Sequence, residues 1–171
     1  MKKSIILLCE RLNYYKGIER ELSYSAIPNK TLKKIFNFVN EDGEIPFSVQ
    51  NLKEIKNIHN QLTVKGIILD IIVATDDYEI YHCFDDRFSF LGYDVSGDSY
   101  FHSPIFRLFY DKLDYICQNN VHEVFKDKLN KNGLFSSKKL ANDFIKIIFE
   151  NKDDFFEPDD NIRPIKIFEV K

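Results

Sequence analysis

The fold class is decided by residues 67–100, which read IILDIIVATDDYEIYHCFDDRFSFLGYDVSGDSY. Three runs here carry the β-branched and aromatic residues typical of strands: Ile67–Thr75, Tyr78–Phe84 and Phe88–Val95. The first run is apolar at both alternating positions, which predicts a central strand buried on both faces. The short acidic separators predict that antiparallel hairpins join the three strands.

Helical spacing of apolar residues dominates on both sides of that stretch. It predicts helices over Thr31–Asn40, after the N-cap Ser48, and after Ser136 or Ser137. Further helical patterns begin at Ser103-Pro104 and at Val121, the second of them reaching Gly133, and strands are expected near Ser4–Cys9 and over Pro164–Val170. Because the strands cluster, we expect a single α+β domain over residues 1–171, with a mainly antiparallel sheet of about four to five strands and about four to five helices.

The charges are distributed unevenly along the chain. Residues 70–100 contain eight acids and one base, a net charge of −7, whereas the formal net charge of all 171 residues is −3. The few lysine pairs on predicted helices are too dispersed for a nucleic-acid footprint, and the acidic stretch repels phosphates. A concentrated negative surface is suited to a basic protein partner.

The sequence predicts neither a secreted nor a membrane protein. The apolar run after Met1-Lys2-Lys3 is interrupted by Glu10 and Arg11 too early for a secretory signal, and no run approaches the ~20 apolar residues of a membrane span. The cysteines Cys9, Cys83 and Cys117 form no CxxC pair and stand in apolar or aromatic surroundings. We therefore expect reduced thiols in the core and a cytoplasmic location.

Known motifs for cofactor binding and catalysis are incomplete or missing in this sequence. The spacing Gly92-x4-Gly97 matches a phosphate loop, but Asp98 stands where that motif requires lysine. No nucleophile elbow or HExxH zinc motif is present in the sequence. We therefore predict no cofactor, no bound metal and no catalytic residue. One enzymatic alternative stays open, a small metal-dependent hydrolase that uses Asp94, Asp98 and His102 as ligands.

The acidic stretch also contains several tyrosines, and this combination is typical of a protein-binding surface. Carboxylates attract a basic partner over long distances, and tyrosines provide rigid contact area after docking. The predicted partner-binding residues are Asp76, Asp77, Tyr78, Asp85, Asp86, Tyr93, Asp94, Asp98 and Tyr100.

The segment Phe90-Leu91-Gly92-Tyr93-Asp94-Val95, followed by Ser103-Pro104-Ile105, resembles a strand-turn-helix pattern of bacterial immunity proteins. These are small cytoplasmic antitoxins of contact-dependent growth inhibition and other polymorphic toxin systems. The resemblance covers about residues 88–108. It implies a non-enzymatic antitoxin that binds a cognate toxin domain, in many systems a nuclease with a basic cleft, and occludes its active site. The resemblance does not identify the contact residues, and a non-catalytic adaptor subunit is a further alternative.

Overall fold

A computed structural model describes residues 4–10, 27–41, 44–77, 79–97, 124–150 and 161–171. These residues fall into two compact units. The first unit contains the described residues up to Phe90 together with Phe168–Lys171, and the second contains the described residues of Leu91–Ile167.

In the described part of the chain, five strands and three α-helices form an α+β fold. The strands are β1 (Ser4–Glu10), β2 (Ile45–Pro46), β3 (Leu69–Thr75), β4 (Phe88–Ser96) and β5 (Arg163–Val170), and the helices are α1 (Asn29–Phe36), α2 (Val49–Val64) and α3 (Lys138–Glu150). The strands form one antiparallel sheet in the order β2-β1-β3-β5-β4. The predicted class is thus confirmed, and the described helices are fewer than predicted.

The first unit is built on the antiparallel pair β1–β3, whose register runs from Ser4 opposite Thr75 to Glu10 opposite Leu69. Every residue of β3 is buried, as predicted for a central strand. Helix α2 contributes Ile55, Ile58 and Leu62 to the same core, since their spacing places them on one helical face.

Local chemistry sets both ends of α2. The Ser48 hydroxyl accepts a hydrogen bond from the Asn51 amide at 2.9 Å, so the predicted N-cap is confirmed. At the other end Gly66 has a φ of +80°, the left-handed conformation that commonly ends helices. Helix α1 ends at Phe36, four residues before the predicted Asn40.

The second unit has a core of phenylalanines. The rings of Phe125, Phe135 and Phe144 are fully buried, with centroids 5.1–5.7 Å apart. Helix α3 supplies Phe144 and begins after Ser137, whose hydroxyl accepts a hydrogen bond from the Leu140 amide at 3.3 Å. The predicted start of the last helix is therefore confirmed.

Residues 129–135 differ from the helix predicted to reach Gly133. A 3₁₀ turn covers Lys126–Lys128, and Leu129 and Phe135 then form an isolated β-bridge. The Asn130 side chain accepts hydrogen bonds from the amides of Asn132 and Leu134, at 2.8 and 3.3 Å. Such local bonds compete with helical hydrogen bonding, and here they produce a turn.

The predicted helix from Ser103-Pro104 lies outside the described residues. None of the described helices is long and apolar enough to cross a membrane.

Candidate functional site

The segment between β3 and β4, residues 76–87, carries most of the predicted site and is called the crossing segment below. It is not the predicted strand with hairpins: Glu79–Cys83 form a 3₁₀ helix, and β5 lies between β3 and β4 in the sheet. The alternating pattern of Tyr78–Phe84 is typical of a strand. Hydrogen bonds at the start of the crossing segment and an aromatic cluster at its end instead give the chain a different conformation.

The start of the crossing segment is fixed by side chains that bond the main chain. The buried Thr75 hydroxyl lies 2.6 Å from that of Ser4 and accepts a hydrogen bond from the Asp77 amide at 3.0 Å. The Asp77 carboxylate in turn accepts a hydrogen bond from the Glu79 amide at 3.0 Å. Together these bonds cap the 3₁₀ helix and turn the chain away from the sheet direction.

The end of the crossing segment is held by aromatic packing. The Phe84 ring stacks on Phe88 with a centroid distance of 4.3 Å and an interplanar angle of 17°. Phe84 also meets Phe168 of β5 edge to face at 4.7 Å and Phe47 at 5.6 Å. Tyr81 lies 5.6 Å from Phe84. The contacts of Phe84 with Phe168 and Phe47 join residues far apart in sequence, so no local pattern could have indicated them.

Asp85 and Arg87 form a close ion pair beside that cluster. Asp85 Oδ2 lies 2.6 Å from Arg87 Nη2, and Arg87 Nε donates to both carboxylate oxygens at 2.9 Å. The Arg87 amide also donates to Asp85 Oδ1 at 2.9 Å. These hydrogen bonds from Arg87 lower the pKa of Asp85 from 3.8 to about 2. Asp85 is therefore ionised at neutral pH and fixed in position.

The predicted partner-binding residues have different positions. Asp85 and Asp86 are exposed, and Asp76 and Asp77 are half-buried at the end of β3. Tyr93 packs partly buried against the core of the second unit. Tyr78, Asp98 and Tyr100 lie outside the described residues.

Asp94 does not have the surface position that partner binding requires. Its exposure is 0%, and its Oδ1 accepts a hydrogen bond from the Val95 amide at 2.8 Å. A carboxylate at this depth cannot touch a docking protein. We therefore correct the prediction that Asp94 is a contact residue.

The Leu91-Gly92-Tyr93 motif has a structural role in the second unit. The Tyr93 amide and carbonyl bond the main chain of Phe135 at 2.8 and 2.9 Å. The Asn130 side-chain amide donates to the Leu91 carbonyl at 2.7 Å. A Cβ on Gly92 would lie only 2.7 Å from Leu134 Cβ, so the motif requires glycine for this close approach.

Two expectations about metals and thiols concern this part of the chain. Among the described residues, no group of three or more His, Cys, Asp or Glu side chains could hold a metal ion. Asp98 and His102 lie outside those residues, so the hydrolase alternative stays a prediction. Cys83 is exposed, which makes the predicted core position wrong for this thiol, because the 3₁₀ helix turns it to the surface.

Comparison of the chain with protein-family models, with curated proteins and with solved structures found no match.

Proposed function

We propose that this protein is a bacterial immunity protein that binds a cognate toxin domain and occludes its active site, acting in the cytoplasm without catalysis of its own. The observation that carries the proposal is the crossing segment, an acidic surface whose shape is fixed before a partner arrives. It holds five carboxylates and one guanidinium, a net charge of −4.

Preorganisation is the first argument for a binding role. Asp77 caps the 3₁₀ helix, Phe84 is anchored in the aromatic cluster, and Asp85 is tied to Arg87. The Arg87 carbonyl also accepts a hydrogen bond from the Lys171 amide at 2.8 Å. A charged segment that is already ordered loses little conformational entropy when it docks, so more of the contact energy appears as affinity.

Charge is the second argument, because it determines the chemistry of the partner. Asp86 is exposed, so its carboxylate is accessible to a partner. Exposed carboxylates on a rigid segment attract a basic surface, such as the cleft of a nuclease, and accelerate its association.

Apolar contact area beside the charges is the third argument. Phe90 of β4 is 47% exposed, and its ring lies 5.4 Å from Phe168, which itself packs on Phe84. An exposed aromatic ring next to fixed charges provides a contact that excludes water once a complex has formed.

The proposal is tested by capturing a partner from the native cells with the tagged full-length chain. A supporting result is one protein that co-purifies at equal stoichiometry, stops growth when expressed alone and is neutralised by co-expression of this chain. A captured partner without toxicity would instead favour the adaptor alternative and refute the immunity function.

A further inference from the structure

A cleft of about 360 Å³ opens in the first unit between helix α2 and the crossing segment. Its apolar wall includes Phe47, Leu52 and Phe88. These side chains are half-buried, so they are held by the core behind them and present only part of their surface to the cleft.

The charged residues that line the cleft are all basic, although the crossing segment as a whole is acidic. Its lining contains Lys53, Lys56 and Arg87 and no acidic residue. Arg87 is the only base between residues 70 and 100, and it borders this cleft. Three cations beside an apolar wall match a ligand that has an anionic end and an apolar body.

The three cations differ in how they are engaged. Lys56 Nζ donates to the Lys171 carbonyl at 2.8 Å, and Arg87 is held by Asp85. Lys53 is exposed and has no polar partner among the described residues. Lys53 is therefore the ammonium that can pair with a ligand, while Lys56 adds positive charge nearby and Arg87 is neutralised by Asp85.

We propose that this cleft binds a small carboxylate with an aromatic or short acyl body. The volume is at the lower end of the range of about 300–1,000 Å³ found for small-molecule sites, which favours a small molecule over a peptide. The carboxylate pairs with Lys53, and the body covers Leu52 and Phe88. The cleft borders the crossing segment through Cys83 and Arg87, but the proposed ligand binding does not require that the protein bind a toxin.

The test uses 2-naphthoate as the probe and its neutral isostere 2-naphthalenemethanol as the matched ligand. Binding is followed by methyl NMR shifts of Leu52 and by the alkylation rate of Cys83, read at that residue by peptide mass spectrometry. Cys83 lines the cleft and is exposed, so a bound ligand should slow its alkylation. We expect a Kd for 2-naphthoate of about 0.3–1 mM and binding of the alcohol about tenfold weaker.

Two variants separate the cleft from general charge effects. Lys53→Gln should weaken 2-naphthoate binding about three- to fivefold, because it removes one partly solvated ion pair. Lys65→Gln makes the same charge change at an exposed position outside the cleft lining and should leave the Kd unchanged. Equal binding of the acid and the alcohol, equal effects of the two variants, or unprotected Cys83 would each overturn the proposal.

Discussion

Replacement of Gly92 by alanine should destabilise the protein far more than replacement of Gly66, although both glycines have positive φ. Gly66 has φ +80°, and no atom lies within 4 Å of the place that an alanine Cβ would occupy, so Gly66→Ala adds only backbone strain, about 1 kcal/mol. Gly92 has φ +149°, and its Cβ would lie 2.7 Å from Leu134 Cβ and 2.9 Å from the Phe135 carbonyl.

The magnitude for Gly92→Ala follows from two costs. Backbone strain contributes about 1–3 kcal/mol, and the overlap with Leu134 and Phe135 contributes about 1–3 kcal/mol because backbone atoms cannot move aside cheaply. We expect a total of about 2–6 kcal/mol, a large part of the ~5–15 kcal/mol stability of an ordinary domain.

Urea unfolding followed by circular dichroism measures the difference between the two glycine variants. With an m-value of about 2 kcal/mol/M, the midpoint should fall by about 1–3 M for Gly92→Ala and by about 0.5 M for Gly66→Ala. If Gly92→Ala does not accumulate as folded protein, Asn130→Ala tests the same contact by removing the bond to Leu91, with an expected cost of about 1–3 kcal/mol. Equal midpoints for the two glycine variants would refute the close approach.

Three further predictions concern the cap, the aromatic cluster and the ion pair. Ser48→Ala should cost about 1 kcal/mol in urea unfolding, because the Asn51 amide loses its acceptor, and no loss would contradict the cap. Phe84→Ala should cost about 2–4 kcal/mol and increase amide exchange at Glu79–Cys83, because the stacked ring anchors that helix; unchanged exchange would contradict the anchoring. NMR titration should give Asp85 a pKa of about 2, and Arg87→Gln should raise that pKa towards 3.8. Because the pKa is lowered in the folded state, the ion pair stabilises the fold above about pH 4, and this stabilisation is lost as the pH falls towards 2. A pKa unchanged by Arg87→Gln would refute the ion pair.

Elements with local signals were predicted well from the sequence. The buried strand β3 was evident from continuous apolar residues, and the starts of α2 and α3 were evident from Ser48 and Ser137, because capping acts over three residues. The prediction over Tyr78–Phe84 was wrong because its alternation competes with the bond between Asp77 and Glu79 and with packing on β5.

The candidate site was only partly predictable, because local patterns do not show which distant residues pack together. Asp85 and Asp86, which were selected for their charge, are exposed. Asp94 belongs to the same acidic stretch but is fully buried, and its neighbour Tyr93 pairs with Phe135, which lies 42 residues further along the chain. Charge counts describe a stretch of sequence, whereas exposure depends on which distant segment packs on each residue.

The proposed guidance of a basic partner rests on the carboxylates of the crossing segment. Its most direct test is the association rate constant of the captured partner with the wild-type chain, Asp86→Lys and Asp143→Lys at several salt concentrations. Asp143 is exposed on α3, so its variant makes the same change of net charge outside the crossing segment. At low salt Asp86→Lys should slow association about three- to tenfold and Asp143→Lys less than about twofold, with the difference vanishing near 0.5 M salt. Equal rates for the two variants at every salt concentration would contradict the account.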